Sequence, residues 1–188
     1  MTISSATEYT AQILKQSDAR VIEKATHIKL LSLDVDGVLT DGGLIYGEHG
    51  EIQKRFNVLD GLGIKQLIQQ GIEVIIITAK QSAMLTARCN DLGLKHVFQN
   101  VPDKGATLAK FAQQRGLQKN QMAHMGDDLP DLKAMQHCGL KLTVANAHPL
   151  LVQQADWQSS LQGGYGAVRE ASDLLLAAQD KLTAAVDA

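Results

Sequence analysis

The sequence is short of several features that would assign it to a class at once. Cys89 and Cys138 are its only cysteines, too few for a disulfide framework and without metal-ligand spacing. They read as reduced, mostly buried thiols. No two of the six histidines form a helical His-x-x-x-His pair, which argues against zinc. No run approaches the roughly 18 uninterrupted apolar residues of a membrane span. Glu8, Lys15, Asp18, Arg20, Glu23 and Lys24 interrupt the N-terminal region, so no signal peptide is expected. Neither sign of charge dominates. A formal net charge of −2, without a basic block, leaves nothing to displace counterions along a nucleic-acid backbone. Pro- or Ser-rich linkers, low-complexity tracts and internal repeats are also missing. With 188 residues, 45% apolar and 20% charged, the expectation is one globular domain over 1–188, soluble and cytoplasmic, with no membrane or nucleic-acid partner.

What the chain does have is a rhythm of short apolar runs alternating with amphipathic segments. Ile28 to Val35 and the β-branched Ile72 to Thr78 read as strands, with weaker candidates at 96–98, 121–125 and 140–144. Helical patterns fall near 60–70, 81–92, 103–115, 129–137, 147–154 and 166–183, and Tyr9, Ile13, Val21 and Ile22 mark a further helix at the start. Near-continuous apolar strands separated by helices imply an α/β fold, a doubly wound parallel sheet covered on both faces. One insertion interrupts the rhythm. Leu44–Tyr46 and Glu51–Phe56 flank Gly47-Glu48-His49-Gly50, the composition of a β-hairpin over about 43–56. Placed directly after the first strand, it should project from the carboxyl end of the sheet, where such folds bind ligands.

Four local features stand where a predicted strand ends. Asp34-Val35-Asp36-Gly37 is the first; residues two apart on an extended chain face the same way, so both carboxylates address one pocket. Thr78, with Lys80 just beyond, is the second. Lys104, opening a helix after Pro102-Asp103, is the third, and Gly126-Asp127-Asp128-Leu129-Pro130-Asp131 is the fourth. Taken singly, each has a bland explanation: a turn, a strand end, a surface charge, a helix cap. Their order and common placement argue for one site. Carboxylates gathered in one crevice repel and raise each other's pKa, which a hard divalent cation relieves. All-oxygen ligands favour Mg²⁺. Asp34 and Asp127 are the expected side-chain ligands, the Val35 carbonyl the third, and Asp36 only a backbone neighbour of the metal.

The combination resembles the haloacid dehalogenase superfamily, whose four motifs correspond to DVDGV, Thr78, Lys104 and GDDLPD. More narrowly it is similar to the 3-deoxy-D-manno-octulosonate 8-phosphate (KDO 8-phosphate) phosphatases. That likeness is carried by LDVDGVLTDG, FNVLDGLGI, GDDLPD, AHPLL and GGYGAVRE, nearly the whole chain after about residue 25. The resemblance implies a capless, Rossmann-like fold, the hairpin apart. It also implies Mg²⁺-dependent hydrolysis of a phosphorylated eight-carbon sugar acid, serving lipopolysaccharide synthesis. Asp34 would be the nucleophile and Asp36 the general acid and then base. Thr78 and Lys104 would hold the phosphoryl group, Asp127 the metal, and Asp128 and Asp131 the metal-bound water or Lys104. Lys54, Arg55 and Lys80 are candidate substrate contacts. Two departures bear on the substrate: Lys80 stands where the family usually has arginine, and so does Leu59.

The resemblance further implies a homotetramer with hairpins paired around an axis, Lys54 or Arg55 reaching a neighbour's substrate. It also implies a mobile GGYGAVRE tail approaching an active site, its own or a neighbour's. Other enzymatic readings are a phosphatase for a nine-carbon sugar acid or a broad small-metabolite phosphatase. A non-catalytic assembly protein of the same fold is the rival from another class. His148, before Pro149, reads as a helix-start residue, and Trp157 as a core or interface anchor.

Overall fold

The computed structural model describes residues 5–186. Six parallel strands form its main sheet: β1 (Leu30–Leu33), β4 (Glu73–Ile77), β5 (His96–Phe98), β6 (Met122–Gly126), β7 (Leu140–Thr143) and β8 (Trp157–Gln158). Their order is β5-β4-β1-β6-β7-β8. From β1 the chain winds outward to one edge, then returns beside β1 and winds to the other. The winding therefore reverses between β1 and β6, and the crevice above their carboxyl ends is where ligands bind in such sheets. A separate antiparallel pair, β2 (Ile45–Gly47) and β3 (Gly50–Gln53), makes the hairpin. Its tip is the two residues Glu48-His49, and Lys54–Phe56, expected in the second strand, leave it as an extended lead into the next helix.

Strand alternation explains why the sheet is buried on both sides. Leu31, Leu33, Val74, Ile76, Ala123, Met125, Leu140 and Leu142 point into one core, while Leu30, Ile75, Ile77 and Met122 point into the other. The larger core is covered by α1 (Ala6–Gln16), α2 (Ala19–Thr26), α3 (Val58–Gln69), α4 (Ala83–Leu92) and α8 (Ala167–Ala178). The smaller lies under α5 (Lys104–Arg115) and α6 (Leu132–Gln136). Side-chain caps start the helices where the sequence offers them: Ser5, Asp18, Asn57, Ser82 and Asp103 each accept an N–H from the first turn. The expected N-terminal helix is split in two at Ser17-Asp18, because Asp18 caps a new helix rather than continuing the old one.

Other boundaries differ for local reasons. The segment expected as one helix at 129–137 begins as a 3-10 turn, Leu129–Asp131, under Pro130 and a reciprocal Asp128/Asp131 cap. A short α7 (Pro149–Gln154) starts at His148, whose Nδ1 accepts from the Leu150 N–H. The helix expected at 166–183 ends at Ala178 and resumes as α9 (Leu182–Val186), broken by Asp180 in the left-handed region. Nor is α8 a tail. Val168, Ala171, Leu174, Leu175 and Leu176 are all but inaccessible to solvent. At roughly 1.5–3 kcal/mol for each large apolar side chain, removing the chain beyond Gln162 would take away much of the core.

Candidate active site

Asp34 follows β1 directly, and Asp127 follows β6, the neighbouring strand. Lys104 is the first residue of α5, and its nearly buried ammonium lies 2.8 Å from Asp34 Oδ1 and 2.6 Å from Asp131 Oδ1. Asp34, Asp127 and Asp131 each bring a carboxylate oxygen within 4.8 Å of the others. Gly37 makes this crowding possible. A side chain there would have its Cβ 2.0 Å from Asp127 Oδ2, and its φ of +92° suits glycine alone. The glycine of the first motif thus serves the carboxylate of the fourth.

The electrostatics follow from burial. Asp127 is pushed up to about 7 by burial and by the charges of Asp34 and Asp131. Burial and the charge of Asp131 also raise Asp34, opposed by Lys104. Asp131 goes the other way, to about 2: burial raises it, but its hydrogen bond to His124 and the charge and hydrogen bond of Lys104 prevail. Asp131 is accordingly the member that keeps its charge. Its Oδ1 is shared by Lys104 and His124, and its Oδ2 accepts the N–H groups of Asp127 and Asp128. That leaves Asp34 and Asp127 as the carboxylates free to bind a cation. Two hard oxygens whose charges repel in a buried site, one held half-protonated near neutrality, fit Mg²⁺.

The Val35 carbonyl does not fit the role of third ligand. It accepts the N–H groups of Val38, Leu39 and Thr40 and the Thr40 hydroxyl, so it is turned into its own loop. Among the described residues no hydrogen bond engages the Asp36 carbonyl, which leaves that backbone oxygen available.

The structure gathers most of the expected residues around Asp34. Thr78 directly follows β4 beside β1, buried, with its hydroxyl accepting the Lys80 N–H. Asp36 receives Lys54 Nζ at 2.5 Å, and Lys80 Nζ lies 3.8 Å from its other oxygen. The Lys54 side chain is only 2% exposed and also meets Glu51 at 2.8 Å. So Lys54, expected to reach a neighbouring subunit, folds back onto its own Asp36. Arg55 stands outside this cluster, paired with Asp41 at 2.8 Å and stacked 4.3 Å above the Tyr165 ring. Asp128 is exposed and caps the 3-10 turn.

The segments FNVLDGLGI and GGYGAVRE, which narrow the family resemblance, make their contacts with each other and with the loop after Asp36. Asn57 donates to the Gly164 carbonyl, and Gly164 donates to the Val38 carbonyl. Asp60, buried on α3, accepts the Arg169 N–H and supplies the cap that Gly166 lacks at the start of α8. Glu170 holds the 159–160 loop through Ser160. A Cβ on Gly163 would lie 1.7 Å from the Gly37 carbonyl oxygen. The expected mobile tail is instead a clamp on the chain's own 37–41 loop. Gly163→Ala should therefore lower the melting temperature, since overpacking costs about 1–3 kcal/mol. It should also reduce turnover roughly 10²-fold by displacing Asp36. Unchanged turnover in a steady-state assay would show that the clamp does not position the loop.

Two residues of this network were not singled out in the sequence: Ser32 and His124. Their signal was a single polar residue inside each of two otherwise apolar strands, LLSL and MAHMG. The register sets them side by side on one face of the sheet.

A family model described as haloacid dehalogenase-like hydrolase matches residues 96–170. The 3-deoxy-D-manno-octulosonate 8-phosphate phosphatase of Escherichia coli K12 is 45% identical over 164 residues, 87% of either chain. The chain belongs to this phosphatase family. Among solved structures, the Yersinia pestis member of the family is 45% identical, with a TM-score of 0.85 over 87% of this chain and 89% of that one. The Moraxella catarrhalis member, solved with magnesium ion, phosphate ion and a KDO molecule, is 41% identical. Its TM-score is 0.86 over 89% of this chain and 96% of that one. Membership fits the six-stranded parallel sheet, the small hairpin in place of a cap and the all-oxygen metal site. No helix among the described residues is long and apolar enough to cross a membrane.

Proposed function

We propose that this chain, as one catalytic domain over 1–188, hydrolyses 3-deoxy-D-manno-octulosonate 8-phosphate to KDO and inorganic phosphate with Mg²⁺. The observation that carries this reading is the Asp34–Lys104–Asp127 arrangement, in a chain 41% identical to a relative that holds magnesium, phosphate and KDO. Asp34 attacks phosphorus and the bond to the sugar oxygen breaks, giving an aspartyl-phosphate. Asp36 donates a proton to the departing oxygen, then takes one from the water that cleaves the aspartyl-phosphate, releasing phosphate and restoring Asp34. Lys104 and Thr78 hold the phosphoryl oxygens, and the buried ammonium offsets the charge that builds there. Asp34, Asp127 and the Asp36 carbonyl would hold Mg²⁺, which when bound would supply further neutralisation of phosphoryl charge. Lys54 fixes the Asp36 carboxylate, and Lys80 at the mouth is placed to meet an anionic substrate.

Phosphate release from a panel of sugar-acid phosphates, with eight- and nine-carbon members and simple hexose phosphates, tests the substrate. The expected result is a kcat/KM highest for the eight-carbon acid. Equal rates across the panel would favour a broad phosphatase.

The proposal includes a cytoplasmic homotetramer. Its support is the hairpin, whose Leu44, Ile45, Tyr46 and Ile52 are 45–66% exposed on a two-stranded sheet with open edges. Light scattering at micromolar concentration should give four times the 20.3 kDa chain mass. A fully active monomer would contradict it.

A further inference from the structure

Beneath the site runs a buried polar string that the reaction as drawn does not use. Ser32 Oγ lies 3.1 Å from His124 Nδ1, and His124 Nε2 lies 3.0 Å from Asp131 Oδ1. The same Asp131 oxygen then meets Lys104 Nζ, which meets Asp34. Ser32 and His124 are completely inaccessible to solvent, and Asp131 is 1% exposed. A charged carboxylate only accepts hydrogen bonds, so the ring nitrogen facing Asp131 carries a proton and donates it. An imidazole on the floor of an apolar strand costs free energy unless both nitrogens find partners, and here both do.

The geometry decides what this string can do. Asp131 touches both halves of the site: one oxygen holds Lys104, the other holds the backbone that carries Asp127. Its carboxylate lies directly over Gly126, where a Cβ would be 2.3 Å from its carboxyl carbon. On the protein side, the remaining orienting contact is the Nε2–H of His124. Without it, the Asp127 and Asp128 N–H groups would still hold Oδ2, but Oδ1 would be held by Lys104 alone, and the ammonium would lose the contact that fixes its distance to Asp34.

We propose that His124 is a positioning residue for phosphoryl transfer, acting through Asp131 to hold the Lys104 ammonium against Asp34. Ser32 fixes the ring from behind. The inference rests on the reading of Asp34 and Lys104 as the phosphoryl-transfer pair. It adds to that reading a requirement in the sheet itself, away from any substrate contact.

The test uses full-length protein with saturating Mg²⁺ and p-nitrophenyl phosphate, so that it does not depend on which sugar acid is the natural substrate. His124→Leu should lower kcat about 10–100-fold, the range for residues that orient a site from behind. KM should move far less, because no substrate contact is removed. His124→Gln, whose amide can donate toward Asp131, should recover most of the loss. His124→Asn, whose shorter amide reaches Ser32 and not Asp131, should not. In the double variant with Asp131→Asn, the two losses should not multiply, because both act through one carboxylate.

Turnover of His124→Leu within about twofold of the parent would overturn the proposal. So would losses that multiply in the double variant. Should His124→Leu fail to fold, the Gln and Asn variants decide the matter, and equal activity in both counts against the proposal. A parent enzyme that releases no phosphate from any phosphomonoester would instead overturn the functional reading, and this inference with it.

Discussion

Asp34→Asn should abolish turnover while leaving the fold intact. The Asp34 side chain is nearly buried, and its Oδ1 accepts from Lys104. Asparagine matches it in size and keeps an oxygen for that contact, so the core beneath it, formed by Leu33 and Val35, is undisturbed. What disappears is the anionic nucleophile. Activity should fall by at least roughly three orders of magnitude, about 4 kcal/mol of barrier. The substitution also removes one of the charges that raises Asp127. The metal-free variant should therefore melt no lower than the metal-free parent. A variant within about tenfold of parental turnover would contradict the nucleophile assignment. A variant that had lost its near-ultraviolet circular dichroism would show that the loss was structural.

Removing Mg²⁺ should be as severe and fully reversible, and the metal's effect on stability should depend on pH. Native Asp127 holds its proton up to about pH 7, whereas an aspartate in an unfolded chain releases it near pH 4. Between those values the metal-free native state binds more protons than the unfolded state. The contribution of this group to stability therefore falls as pH rises through that window. A bound cation offsets the repulsion that causes this fall, but it must displace the proton where one is present. The rise in melting temperature on adding Mg²⁺ should thus be large near pH 8 and small near pH 5. An equal or larger rise at the lower pH would contradict the account, as would full activity in excess chelator after dialysis.

The site was legible in the sequence to the extent that its chemistry is local. Asp34 and Asp36 share a pocket because of alternation along one chain, and Asp103 before Lys104 announces a helix start. Each motif was visible because a strand ended where polar residues began. What escaped the sequence joins residues far apart. Asp60 caps a helix that begins more than a hundred residues later, and Ser32 meets His124 only through the register of β1 on β6. Lys54 was expected to reach outward, since nothing in the hairpin sequence reveals that its lead-out folds back toward Asp36. Similarly, the Val35 carbonyl was placed on the metal because the sequence does not show how tightly residues 38–40 curl around it. The two-residue β8 carries too short a pattern to be read, although Trp157 within it packs against the core as expected of an anchor.

The central claim is that phosphate passes through Asp34. Acid quenching during turnover of 3-deoxy-D-manno-octulosonate 8-phosphate, followed by peptide mass mapping, tests it most directly. The account predicts one acid-stable phosphoryl group, located on Asp34 in the peptide that contains Asp34-Val35-Asp36, formed only with Mg²⁺ and absent from Asp34→Asn. A phosphoryl group on any other residue would contradict it. So would inversion of configuration at phosphorus in a substrate made chiral there with oxygen isotopes, because passage through Asp34 takes two in-line displacements and gives net retention.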